Sequence, residues 1–267
     1  MNNEFRSGAI YDPKPTDFNL GMAFTNEILE NVHIPDMSWF KRHYQGRQPA
    51  CGAFSASHLA QILQHNDKTA EQSELSPAYA WKKIKAIDGF PIDVGTSSNA
   101  IFKMLASRGI GVYGCVSEDV TQDDDTFAFD NSTEEVTNEA HKRICGTYGF
   151  KAYPSFEDIK KAINLKGGAG LLLRGDNGFW GTKFPTFNKC EWGHFVVAYG
   201  WTDDGIWVID SAERDDQFGF KFIDKKYFPS NFCIEVSSAF DMKDKQIEII
   251  DKLIELYKKV IQLKMKC

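Results

Sequence analysis

The pattern of apolar residues changes near residue 165, and that change limits the folds open to the chain. Before it, small and apolar residues recur at helical spacing: Ala53, Ala56, Ala60 and Leu63, then Ile101, Met104 and Leu105. Helices are expected from about 49 to 64, and at 75–86, 97–108 and 155–164, the first opened by Pro49 and closed at Asn66-Asp67. After it come short apolar runs broken by Gly and Asp. These are Leu171–Leu173, Phe195–Tyr199, Ile206–Ile209, Phe218–Ile223 and Phe232–Val236, and they read as buried strands. Helices first and strands later predict an α+β protein of two lobes, helical then antiparallel β, rather than an alternating parallel sheet.

The segments at the ends read differently. Residues 1–33 form an irregular polar leader with Pro13 and Pro15, 34–240 the main domain, and 241–267 a separate amphipathic helix. On that helix Ile247, Ile250, Ile254, Tyr257 and Ile261 form one seam, and Ile249, Leu253, Leu256, Val260 and Leu263 a second. It either packs on its own domain or provides an oligomer or assembly contact. Residues 116–138, acidic and polar, read as an exposed insertion between the lobes.

Composition narrows the function. With 267 residues, 42% hydrophobic and 25% charged, the chain can bury a core. A net charge of -6 argues against nucleic acid or an anionic membrane as partner. No apolar run is long enough to span a membrane, and Met1–Ile10 lacks the apolar stretch of a secretory signal, which favours a cytoplasmic setting. The six cysteines are scattered without a CxxC pair, as for reduced thiols rather than a zinc site or a disulfide framework.

Cys51 falls at a predicted helix start, where unpaired N–H groups and the helix dipole favour an anion. A cysteine there is commonly no more than a small buried hydrophobe. Its neighbours raise its standing: the segment runs Gln45-Gly46-Arg47-Gln48-Pro49-Ala50-Cys51-Gly52-Ala53-Phe54, and His194 opens the strongest strand, Gly193-His194-Phe195-Val196-Val197. This pair of segments resembles the papain-like cysteine peptidases, in which a glutamine lies six residues before the nucleophile and the catalytic histidine opens a Gly-His-apolar strand. Ile34–Trp39 resembles the start of a mature papain-type chain, and Leu75-Ser76-Pro77 the start of its second helix. The likeness covers about residues 34–236.

The resemblance implies a papain-like two-lobe fold with Cys51 as nucleophile, His194 as base, Gln45 as oxyanion donor and Asp210 as the residue orienting His194. It also implies Gly89, Phe90, Gly95 and Gly193 on the substrate side, a peptide or protein substrate, and neither metal nor organic cofactor. Hairpin arithmetic bears on Asp210. A two-residue turn at Asp204-Gly205 would place His194 opposite Asp215, whereas a four-residue loop from Trp201 to Asp204 places it opposite Ser211, so the longer loop is expected.

Three departures stand out: Asp210 where the family carries asparagine, Gly52 where an aromatic follows the nucleophile, and Ala212 where a tryptophan shields the orienting residue. Gln48 also replaces a cysteine, so a familiar disulfide is missing. Other readings are a double-glycine leader peptidase, which shares the aspartate but has a shorter domain, a cell-wall Cys-His hydrolase, and a papain-fold binding scaffold without activity. The leader is shorter than the family's prosegments, so no standard zymogen is expected, although it could still lie in the cleft.

Overall fold

The computed structural model describes residues 9–13, 19–20, 24, 29–67 and 72–240. The C-terminal helix expected at 241–267 lies outside these residues, as does most of the leader. In chain order the elements are β1 (Ala9–Ile10), α1 (Cys51–Asp67), α2 (Pro77–Asp88), β2 (Thr96–Ser97), α3 (Ser98–Ser107), α4 (Asp124–Ala128), α5 (Glu134–Ala140) and β3 (Thr147–Ala152). They continue with α6 (Phe156–Lys166), β4 (Ala169–Gly175), β5 (Trp192–Thr202), β6 (Gly205–Ile209), α7 (Asp216–Gly219), β7 (Phe220–Asp224) and β8 (Cys233–Phe240).

The helices start where the sequence supplies caps. Ser76 accepts from the Tyr79 N–H ahead of α2, with Pro77 at the first helical position, and Gly89 closes that helix at φ 72°. Ser155 and Asp158 form a reciprocal capping box at α6. Helix α1 is buried continuously from Cys51 to Ile62, because α2 and α3 pack on it from one side and β5 from the other.

Six strands form one antiparallel sheet in the order β3-β8-β4-β5-β6-β7. Period-2 alternation splits β5 between two cores. Phe195, Val197 and Tyr199 join α1, α2 and α3 residues, whereas Val196 and Ala198 join Ile159, Ala162 and Ile163 of α6. Both faces are therefore covered, and β5 reads as an almost unbroken apolar run.

Three differences from the sequence expectations have physical reasons. Strand β3 was not anticipated, because Gly149 and Lys151 interrupt its apolar pattern; its edge position against β8 supplies the pairing. The 116–138 segment is not simply exposed: Phe127 is fully buried, and the Lys82 ammonium donates to the Phe127 and Phe129 carbonyls at 3.0 and 2.8 Å. Glu118 likewise accepts from Ser76 Oγ and the Ala78 N–H, which ties this acidic stretch to α2. The β5–β6 hairpin does not have the four-residue loop. Thr202 pairs with Gly205 across a two-residue turn, Asp203-Asp204, and a bulge between Ala198 and Gly200 then shifts the register before Val197 meets Ile209. A uniform ladder, as the arithmetic assumed, could not anticipate that bulge.

The described parts of the leader are docked on the body. The His33 and Trp201 backbones exchange hydrogen bonds of 2.9 and 2.7 Å, Trp201 Nε1 donates to Glu30 O at 2.9 Å, and Leu20 is fully buried. Strand β1 pairs in parallel with β2. Among the described residues no helix is long and apolar enough to cross a membrane, and no cluster of His, Cys, Asp and Glu suits a metal ion.

Candidate active site

Cys51 is the first residue of α1, at the helix end where backbone N–H groups lack intrahelical partners. Against it lies the start of β5, whose Phe195 N–H donates to Cys51 Sγ at 3.5 Å. The neighbouring His194 is fully buried, and its Nε2 meets Asp210 Oδ1 at 2.7 Å. Asp210 follows β6, where its N–H donates to Gly219 O at 2.8 Å and its Oδ1 also accepts from the Ala212 N–H at 2.9 Å. The fold thus gathers Cys51, His194 and Asp210 from a helix and two neighbouring strands.

Electrostatics within the group favour an imidazolium. Burial by itself pulls the His194 pKa down, but the charges of Asp210 and Cys51, and hydrogen bonds to both, push it up to about 9. For Asp210 burial works upward. The charge and hydrogen bond of His194, with Lys221 and the Ala212 N–H, outweigh it and hold the carboxyl below the ordinary carboxylate range.

Gln45 is brought into the same group. Its N–H donates to Ser211 O at 2.8 Å, and its Oε1 accepts from Ser211 Oγ at 2.7 Å, which fixes the orientation of the amide. Nε2 uses one N–H on Gln48 O at 2.9 Å; an amide nitrogen carries two. Gln48, where a disulfide cysteine was absent, binds the 116–123 segment instead, donating to Val120 O and Gln122 O at 3.2 and 2.8 Å. None of the described cysteines, Cys51, Cys115, Cys145, Cys190 and Cys233, is in a disulfide.

The other departures are also explained. A Cβ on Gly52 would meet Thr96 Cγ2 at 2.7 Å and Ile101 Cδ1 at 2.8 Å, so that space is already filled from α3 and β2. The missing tryptophan has stand-ins from elsewhere in the chain. The rings of Phe179, Trp180 and Trp192 meet the His194 ring edge-on with centroids at 5.8, 5.5 and 6.2 Å. Sequence reading missed these three, together with Ser211, Lys221 and Arg42. Arg42 Nη1 donates to Asp210 O at 2.9 Å and Glu213 O at 2.6 Å, fixing the turn that carries the aspartate.

The expected substrate-side residues divide. Gly95 precedes β2, and Gly193 lies beside His194 with no room for a side chain, since a Cβ there would meet Ala9 O at 2.6 Å. Strand β1 therefore spans from Thr96, which touches Gly52, to Gly193. A cavity of about 340 Å³ opens beside it, lined by Tyr11, Tyr153, Leu172, Ile234 and Gly193 among others. Gly89 is instead the exposed cap of α2, and Phe90 lines a separate cavity with residues of α2 and α4. The remaining histidines take packing roles: His33 stacks on Trp201, His43 on Tyr113 and His65 on Trp39. His58 Nε2 accepts from the His43 N–H, and His141 Nδ1 lies 3.1 Å from Thr137 O.

No family model and no curated protein matches the sequence. Solved structures do match it. Xylellain, a cysteine protease from Xylella fastidiosa, superposes with a TM-score of 0.75 at 17% identity, over 89% of this chain and 97% of that one. The fold is papain-like. Digestive procathepsin L 3 of Tenebrio molitor larval midgut matches at TM-score 0.66 and 12% identity, over 89% of this chain and 76% of its own. The bromelain protease from Ananas comosus, solved with the E64 inhibitor, matches at 0.59 and 16%, over 74% and 92%. This papain-like fold carries the helical and antiparallel β lobes expected from the sequence.

Proposed function

We propose that the chain is a cysteine peptidase acting by acyl transfer. One observation carries the reading: on a papain-like fold, a cysteine at a helix start lies against a strand whose buried histidine is hydrogen-bonded to a buried carboxylate, an arrangement that favours imidazolium. Cys51 and His194 would work as a thiolate–imidazolium pair, with Asp210 fixing the imidazole. The thiolate attacks the peptide carbonyl. The second N–H of the Gln45 amide and the Cys51 backbone N–H receive the developing oxyanion, and His194 protonates the leaving amine. Water, deprotonated by His194, then releases the acid and restores the thiolate–imidazolium pair. Ser211 supports the Gln45 assignment, because it binds the amide oxygen and so aims the nitrogen.

The test is titration with the epoxide E-64, followed by mass spectrometry of the labelled peptide. Stoichiometric labelling at Cys51, lost in His194→Ala, is the expected result. An unreactive Cys51, in the full chain and also after removal of residues 1–12, would sink the peptidase reading and favour a binding scaffold.

A further inference from the structure

Lys221 is a charged residue at a position the strand pattern reserves for an apolar one. It lies opposite Val208 in the β6–β7 ladder, two residues before the buried Ile223, and its side chain is fully inaccessible. Burying an ammonium is strongly unfavourable unless its donors and charge are matched. All three N–H groups are matched: Phe179 O at 2.9 Å, Thr182 O at 3.0 Å and Glu213 Oε1 at 2.8 Å. The Phe179 ring lies beneath the ammonium at 4.6 Å. With its donors engaged there, the ammonium still stands 3.7 Å from Asp210 Oδ2, a buried oxygen that accepts no hydrogen bond among the described residues.

We propose that Lys221 is a positioning residue of the candidate active site: its charge faces the outer oxygen of Asp210, keeps Oδ1 turned to His194, and offsets part of the carboxylate's pull on the imidazolium. The proposal rests on the peptidase reading for its purpose and on the geometry for its effect. It also accounts for the departure at Asp210. A neutral amide would orient the histidine without adding charge; here the carboxylate adds charge and a buried lysine moderates it.

The charged groups around this cluster are Cys51 on α1, His194 on β5, Lys221 on β7, Glu213 in the turn after β6, and Arg42, whose guanidinium binds the Asp210 and Glu213 carbonyls and the exposed Asp216. Removing Lys221 leaves Asp210 and Glu213 without their buried cation. Both then favour the imidazolium more strongly, so the His194 titration moves upward, by on the order of one pH unit for a full charge removed at this range in an effective dielectric near 20.

The experiment is imidazole 15N NMR of the full chain across pH 6–11, for the wild type, Lys221→Gln and Lys221→Met, with His33 and His65 as controls for an intact fold. Gln can still donate to the Phe179 and Thr182 carbonyls, whereas Met cannot; both lack the charge. The expected result is an upward shift of His194 in both, with the controls unmoved. A folded Lys221→Gln protein whose His194 titrates as in the wild type, or lower, overturns the proposal. So does a shift confined to Lys221→Met, which would trace to lost hydrogen bonds. If the Met variant does not fold, Lys221→Gln alone decides. Because the readout is the imidazole, a wild type with unreactive Cys51 would count against the peptidase reading while leaving the action of Lys221 on His194 measurable.

Discussion

Two fully buried histidines, one in each lobe, show what the sheet adds. His58 sits in the middle of α1 with His43 stacked beside it and the Arg42 cation nearby; burial first, then those neighbours, hold its pKa well below the ordinary value. His43 is lowered to about 4 by burial and by the Arg42 charge. His194 is buried as deeply, yet the Asp210 and Cys51 charges reverse the effect and raise it to about 9. Burial alone makes a neutral packing residue. Burial beside a fixed carboxylate makes a proton donor usable at neutral pH.

The sharpest way to break this comparison is to exchange roles by mutation. Cys51→Ala and His194→Ala should each lower peptide hydrolysis by more than about 10³-fold with unchanged far-UV circular dichroism. His58→Gln should leave the rate per folded molecule nearly intact and cost about 1–3 kcal/mol in urea unfolding, since the ring packing on Phe40 and His43 is lost and the His43 N–H must be met by a differently placed amide oxygen. A catalytic loss in His58→Gln equal to that in His194→Ala would erase the distinction.

The next effect is on stability, and its sign differs between the lobes. His43 and His58 have folded pKa values below the unfolded one, so the stability they contribute is present above about pH 6.5 and is lost as the pH falls toward 4. For His43 that is on the order of 3 kcal/mol. His194 has a raised folded pKa; its contribution is complete below about 6.5 and is lost as the pH rises through 9. Urea midpoints at pH 4.5, 7 and 9.5 should therefore fall on both sides of neutrality. In His194→Ala the alkaline decline should weaken and the acid decline persist.

A smaller effect sharpens the role of the carboxylate. Asp210→Asn keeps an acceptor for the imidazole and removes the charge, so activity should stay within about tenfold. The alkaline limb of kcat/KM should move below 9, because the imidazolium loses the attraction that holds its proton. Total inactivity would mean that the charge itself, rather than orientation, is required. The smallest expected change concerns the leader. Deleting residues 1–12 removes β1 from Thr96 and Gly193 and should speed E-64 labelling of Cys51 severalfold; an unchanged rate would show that β1 does not obstruct the site.

The two halves of the site were not equally legible in the sequence. Cys51 and Gln45 were legible through the resemblance of one short segment to the papain-like peptidases, because that segment's helix start and six-residue offset are local features. His194 was legible as the opening of the most apolar strand. The partnership with Asp210 was expected, but through the wrong hairpin: the bulge after Ala198 is a feature of packing on two faces, and no local count of residues contains it. The aromatic shield was read as missing because the expected position held Ala212. Phe179 and Trp180 supply it from a loop about thirty residues upstream of Ala212, and only tertiary contact makes that substitution visible.

By itself, then, the sequence determined the α+β order and the approximate spans of α1, α2, α3, α6 and most strands, since periodicity and caps act over a few residues, while Cys51 and His194 stood out through the resemblance of their segments to a known family. Only the tertiary structure decided that Lys221 faces Asp210, that Ser211 holds Gln45, and that β1 runs past Gly193. Charge and hydrogen-bond effects act over a few ångströms between residues far apart in the chain, and folding is what brings such groups within that range.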